Sequence, residues 1–191
     1  MRKLIYAMLS SVDGFMEGPD KDLTWPVIDE EFHRFVNDRE RNLDLYLYGR
    51  HMYEVMGSYW PTADLDPSNP DYIIEYAQIW KRIPMIVFSR TLEKVEGNAR
   101  LERQVRLEDI QQLKEQPGKD IGLGGADLAS TFIQLGLIDE YQLYIHPVVL
   151  GQGRPVFQAV EEKIHLHLEE THTFRSGVQF IRYTWQEEVS K

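Results

Sequence analysis

The chain has 191 residues, of which 42% are hydrophobic, 12% aromatic and 27% charged; that is ample material for a core and excludes a globally disordered chain. Its formal net charge of −10 excludes general nucleic-acid binding, because phosphate contacts need a basic footprint. The chain has no cysteine, which removes thiol nucleophiles, disulfides, zinc–thiolate sites and iron–sulfur clusters together and fits a reducing, cytoplasmic setting. Apolar runs such as Leu4–Leu9 and Ile83–Phe88 fall far short of a bilayer span, so no membrane segment is expected. The length suits a single domain over residues 1–191.

Lys3–Leu9 is mostly apolar, like a central strand buried on both faces. Asp13-Gly14 marks a turn. Residues 14–28 are rich in Gly, Pro and Asp yet carry Phe15, Met16, Leu23 and Trp25, which predicts a long functional loop. Asp29 is suited to cap a helix running to Arg41, with Phe32, Phe35 and Val36 as its buried stripe. A strand over Leu43–Tyr48 ends at Gly49, and a short helix covers His51–Met56. Residues 60–70 form a second loop, followed by a helix over Pro70–Trp80.

Pro84–Phe88 reads as a strand and Leu92–Val95 as extended; a helix over 107–116 is stopped by Pro117-Gly118. A strand at Asp120–Leu123 runs into Gly124-Gly125, then come a helix at Ala126–Leu135 and a strand at Tyr141–His146. Lys163–Thr173 alternates strictly, Arg175-Ser176-Gly177 turns the chain, and Val178–Trp185 returns as a hairpin. The pattern predicts an α/β fold. It has a mostly parallel central sheet, helices on both faces, and an antiparallel C-terminal hairpin on one edge.

In such sheets ligands sit outside the carboxyl ends of the strands. The residues there are Asp13-Gly14, Gly49-Arg50-His51, Ser89-Arg90, Gly124-Gly125 and His146. A glycine pair between strand and helix offers backbone N–H groups and close approach to a phosphate, or serves only as a tight turn. Arg50 and Arg90 follow neighbouring strands, and a guanidinium matches phosphate oxygens bidentately. Neither G-x-G-x-x-G nor a Walker motif is present. His146 has the chemistry to orient or protonate a heterocycle, or to be a hydrogen-bonded strand-end histidine. Tyr53 and Trp60 either wall a substrate pocket or belong to the core. His165 and His167 share a strand face with His172 nearby, and are read as a solvated edge; no metal site is expected.

A resemblance enters at these residues. The string from Leu47 through Gly49-Arg50-His51 to Gly57 closely resembles the cofactor-loop motif of dihydrofolate reductases, with Ser89-Arg90 at the second phosphate loop and Gly124-Gly125 at the glycine pair. Ser11-Val12-Asp13-Gly14, Gly136–Tyr141 and Pro147–Gly153 resemble the reductase domain of bifunctional riboflavin-biosynthesis proteins. The resemblance covers nearly the whole chain and implies a dihydrofolate reductase-like three-layer fold that uses NADPH. Gly49, Arg50, His51 and Arg90 would then follow the cofactor phosphates, Ser89 the adenosine side, Gly124 and Gly125 the pyrophosphate, and Ala7 the nicotinamide. Trp25 fits the family's loop tryptophan at the substrate.

The family's acid early in the following helix falls on Glu30 by counting from Trp25, or on Glu31 by aligning Phe32 and Phe35; Glu31 is preferred. A helix N-terminus favours acidic residues in any case. Glu31, Asp13 and His146 are the acid–base candidates. Leu128 replaces an aromatic of dihydrofolate reductases, and no zinc deaminase half accompanies the domain. The resemblance implies hydride transfer to a C=N or C=O bond of a small heterocycle, as in ribosylaminouracil reduction. The alternatives are dihydrofolate reduction or a non-catalytic nucleotide-binding protein. Apolar residues on both faces of the C-terminal hairpin predict a homodimer.

Overall fold

The computed structural model describes residues 1–158 and 160–186. It begins with β1 (Leu4–Ser11), β2 (Phe15–Glu17), α1 (Glu30–Glu40), β3 (Leu43–Gly49) and α2 (Arg50–Gly57). There follow α3 (Asp71–Arg82), β4 (Met85–Phe88), β5 (Ala99–Glu102), α4 (Leu107–Glu115), β6 (Asp120–Gly124) and α5 (Ala126–Gln134). The chain closes with β7 (Glu140–His146), β8 (Arg154–Pro155), β9 (Leu166–Thr173) and β10 (Gln179–Trp185). The strand order of the main sheet is β5-β4-β3-β6-β1-β7-β10-β9, eight strands in all, and β2 pairs with β8 in a separate small sheet. Strands β1, β3, β4, β5, β6 and β7 pair in parallel, while β10 runs antiparallel to both β7 and β9.

Alternation along the strands builds the three layers. Leu4, Tyr6 and Met8 of β1 join Leu45, Leu47, Ile86, Ile121 and Leu123 in one core, closed by Ile110 of α4 and Ala129 and Phe132 of α5. The intervening Tyr46, Tyr48, Met85 and Val87 face the other way, against Tyr76, Ile79 and Trp80 of α3. Ala7 and Leu9 pack on a third cluster made by Phe32 of α1 with Tyr144, Phe174 and Phe180. The α1 stripe of Phe32, Phe35 and Val36 packs where the spacing puts it, whereas α3 buries Tyr76, Ala77, Ile79 and Trp80. Asp29 caps α1, accepting from the Phe32 N–H at 2.8 Å. Arg34 then bridges to Asp71 on α3 with two 2.9 Å bonds.

The structure refines three local expectations. Leu92–Val95, expected to be extended, lies outside the sheet, whose edge strand is Ala99–Glu102, reached by a helix-free crossover over 89–98. The loop over 14–28 contains β2 and a short 3-10 turn at Pro19–Lys21. The hairpin strands begin at Leu166 and Gln179, inside the expected ranges.

The α3 face of β6 carries glycine for a steric reason. A Cβ on Gly122 would meet Leu43 Cδ1 at 2.8 Å, and one on Gly124 would meet the Tyr48 ring at 2.9 Å. The stacked Tyr46 and Tyr48 rings, centroids 5.0 Å apart, fill the space two side chains would take. Overpacking a core typically costs about 1–3 kcal/mol. Gly124→Ala is therefore expected to lower the unfolding free energy by about that amount, measured by urea titration without any ligand; an unchanged midpoint would show that Tyr48 yields freely.

Candidate functional site

Parallel pairing brings the carboxyl ends of β1, β3, β4, β6 and β7 to one rim. Ser11 stands opposite His146, Tyr48 opposite Gly124, and Gly49 opposite Phe88. Two helices start on this rim side by side. Gly49 caps α2 and Gly125 caps α5, neither with a side-chain bond. A Cβ on Gly125 would stand 3.5 Å from Met52 Cβ and 3.9 Å from the Gly49 nitrogen. Gly125 has φ +100°, a region that disfavours any side chain. The free first-turn N–H groups of two adjoining helices give a positive end suited to an anion.

The flanking side chains are divided between structure and availability. Arg50 donates to Glu54 at 2.7 Å and to Thr91 Oγ1 at 2.9 Å, tying α2 to the loop after β4. Ser89 is buried, and its hydroxyl accepts from the Thr91 and Leu92 N–H groups, so it shapes that loop. Arg90 is exposed, and its guanidinium has no partner among the described residues. His51 Nε2 lies 2.7 Å from Glu17 Oε2, a carboxylate only 5% exposed. Glu17 also faces Arg154 at 4.0 Å, and Arg154 in turn pairs with Asp127 in the first turn of α5 at 2.8 Å. An opening of about 680 Å³ lies over Glu17, Asp127 and Arg154.

Ala7 and Leu9 are half-exposed although β1 lies in the interior of the eight-stranded sheet. The α1 face is thus left incompletely covered there. Trp60 packs at 4.3 Å from Tyr76 and 5.9 Å from His33, while the Tyr53 hydroxyl accepts from the Glu96 N–H at 2.9 Å. Both are half-buried beside the tyrosine cluster of β3.

Asp13 clips two loops together. It accepts from Ser11 Oγ at 2.7 Å and from the Leu150 and Gly151 N–H groups at 3.1 and 2.7 Å. These bonds, the serine first, hold its carboxyl below the usual carboxylate range. Glu31 is exposed and accepts from the Arg175 N–H in the hairpin turn at 3.2 Å, while Glu30 pairs with Arg34 at 2.8 Å. No hydrogen bond joins either of them to another candidate among the described residues. His146 is fully buried; its Nδ1 accepts from the Val27 N–H at 3.0 Å, and the Trp25 and Phe32 rings each stand 5.4 Å away. His172 is stacked on Phe35 at 5.2 Å.

A cleft of about 880 Å³ between α4 and β4–β5 is lined by Arg2, Arg100 and Arg106 but by none of the candidates. Glu17 and Arg154 were not visible as site residues in the sequence. Both lie in loops whose pairing into β2 and β8 creates the burial, and only the strand-like Phe15-Met16-Glu17 hints at it.

The RibD C-terminal domain family model matches residues 2–180. The chain belongs to that family. It is 40% identical over 190 residues to the uncharacterized protein YyaP of Bacillus subtilis, covering 96% of this chain and 95% of that one. Several solved structures share the fold. A putative riboflavin biosynthesis protein from Shewanella sp. PV-4 superposes with TM-score 0.73 at 20% identity, over 98% of this chain and all (100%) of that one. Dihydrofolate reductase from Enterococcus faecalis, complexed with NADP(H), superposes with TM-score 0.65 at 13% identity, over 97% of each chain. The bifunctional deaminase/reductase of Thermotoga maritima superposes with TM-score 0.68 at 15% identity, and 57% of its length corresponds to 97% of this chain. The chain therefore has a dihydrofolate reductase-like, three-layer fold, and no described helix is long and apolar enough to cross a membrane.

Burial carries the His146 pKa from its ordinary 6.5 down to about 4, and lowers that of His33 as well. Between those two values the unfolded chain binds a proton that the folded one refuses, so stability falls as pH falls. For His146 the full loss is about 3 kcal/mol. Urea unfolding at a series of pH values from 7 down to 4 should show this slope, and His146→Asn should flatten it; an equal slope in the variant would contradict the assignment.

Proposed function

We propose that this protein is an NADPH-dependent reductase acting on a small heterocycle. One observation carries the reading. Two glycine-capped helix N-termini adjoin on the rim, with Arg90 exposed and without a partner among the described residues on the loop after β4, and Ala7 only partly buried on the central strand. The residues fit a dinucleotide. Gly49, Gly124, Gly125 and the first turns of α2 and α5 hold its diphosphate, with His51 positioned by Glu17. Arg50, Ser89 and Arg90 receive the adenosine phosphate, and Ala7 lies beneath the nicotinamide.

When bound, the cofactor supplies a hydride for a C=N or C=O carbon. The chain's own work is to hold the acceptor over β1, exclude water and manage a proton. Trp25, Tyr53 and Trp60 provide apolar walls. Glu31 at the rim passes the proton from solvent, Asp13 holds the 11–14 turn to residues 150–151, and His146 contacts the substrate. A pyrimidine resembling the ribosylaminouracil intermediate is the preferred substrate class, ahead of a dihydropterin.

The test is loss of nicotinamide absorbance when protein, NADPH and a pyrimidine or pteridine substrate are mixed. Substrate-dependent oxidation is expected. Binding of NADPH with no oxidation by any such compound would instead make this a nucleotide-binding protein. Arg90→Ala should weaken NADPH by roughly 10–150-fold, the loss of a charged hydrogen bond worth about 1.5–3 kcal/mol, and leave NADH nearly unchanged. Equal weakening of both would place Arg90 away from the 2′-phosphate.

We also infer a homodimer formed through the hairpin. β9 is the edge of the sheet, and Leu168 and Trp185 are 51% and 55% exposed. An unpaired edge with large apolar side chains is a natural pairing surface. Sedimentation at micromolar concentration should show a species of twice the 22.5 kDa chain mass, converted to single chains by Trp185→Glu; a single-chain species in the parent protein would overturn the dimer.

A further inference from the structure

The inference concerns two buried nitrogens that the fold leaves without partners. His146 Nε2 and Trp25 Nε1 are both inaccessible, and neither has a hydrogen-bond partner among the described residues. Their rings meet edge to face, centroids 5.4 Å apart at 87°. Indole N–H is a donor only. The Val27 N–H donates to His146 Nδ1 at 3.0 Å, so Nδ1 must present a lone pair. In a neutral imidazole the proton then sits on Nε2. Two buried donors thus sit on rings in contact, and neither nitrogen is able to accept from the other.

We propose that His146 Nε2–H and Trp25 Nε1–H form a two-donor seat for an acceptor oxygen of the bound substrate. This rests on the reading that the rim binds a heterocycle, and it fixes the role of His146 as a hydrogen-bond donor rather than a proton source. An oxygen with two lone pairs satisfies both N–H groups; a ring nitrogen with one does not. Buried polar groups are almost always paired and an orphan is costly, so the seat favours a ligand that fills it.

The surroundings agree. Phe32 packs against His146, centroids 5.4 Å apart, so the imidazole sits in apolar surroundings. The segment over 22–28 covers the seat, and its Leu23, Val27 and Ile28 are 43%, 41% and 45% exposed. Little apolar burial holds it down, so it is of the kind that opens readily. Burial keeps His146 neutral through the physiological range.

The experiment uses the full chain labelled with ¹⁵N at histidine and tryptophan. In the free protein at pH 7, His146 should show a protonated Nε2 and a bare Nδ1. An Nδ1–H tautomer or an imidazolium would overturn the proposal. Two probes are then added with NADPH and their binding is followed by calorimetry: 5,6-diaminouracil, which has ring carbonyls, and 2,4-diaminopyrimidine, which has none. The uracil should move the His146 and Trp25 N–H signals together and slow their exchange, and the diaminopyrimidine should not. Failure of the uracil to bind, or binding with both signals unmoved, would overturn the seat. So would a water contact that persists at both N–H groups in the complex. Trp25→Phe keeps the ring and removes one donor. It should cost the uracil about tenfold in affinity and the diaminopyrimidine nothing; equal losses would contradict the seat. NADPH oxidation with unmoved N–H signals would overturn the seat and leave the reductase reading intact, and moved signals without oxidation would do the reverse.

Discussion

Everything on the rim depends on β1 being held in parallel between β6 and β7. That pairing runs from Leu4 opposite Ile121 on one side to Ser11 opposite His146 on the other. A strand so placed must be apolar on both faces, and Leu4 through Leu9 meets this requirement. Its consequence is directional. Every neighbouring parallel strand ends on the same side, so two glycine-capped helices and the turn after β1 converge there without any further device. The sheet supplies rigidity, and the loops carry the chemistry.

The segment after β1 is attached differently from the core. Polar clamps fasten it at three points: Asp13 to the Leu150 and Gly151 amides, Glu17 to His51, and the Val27 amide to His146. Between them, Leu23, Val27 and Ile28 remain exposed. A cover made this way has a defined closed position and few apolar contacts to lose on opening. Two of the clamps end on His51 and His146, so the closed segment fixes the position of both rings.

Much of the architecture was legible because it rests on periodicity. The apolar run of β1, the alternation in β9 and the stripe on α1 place their elements within a few residues. β5 escaped because Ala99-Arg100-Leu101-Glu102 is four residues at a sheet edge, with little burial to mark it. β2 and β8 escaped because strands of three and two residues carry no period. In the site, the glycine pair was visible, but its two members have different reasons to be glycine. Gly124 makes room for the Tyr48 ring, and Gly125 has a positive φ beside Gly49. The burial of Glu17 and the tautomer of His146 arise from contacts between residues far apart in sequence, which local pattern does not record. Glu31, chosen by aligning Phe32 and Phe35, stands at the hairpin turn, where it accepts from the Arg175 N–H.

The central claim is that the two adjoining helix starts hold a dinucleotide diphosphate. A crystal structure of the protein with NADPH tests it most directly. The diphosphate oxygens should lie within hydrogen-bond distance of the first-turn amides of α2 and α5, with the 2′-phosphate at Arg90 and the nicotinamide over Ala7. A cofactor found instead in the cleft between α4 and β4–β5, or an empty rim at saturating NADPH, would contradict it.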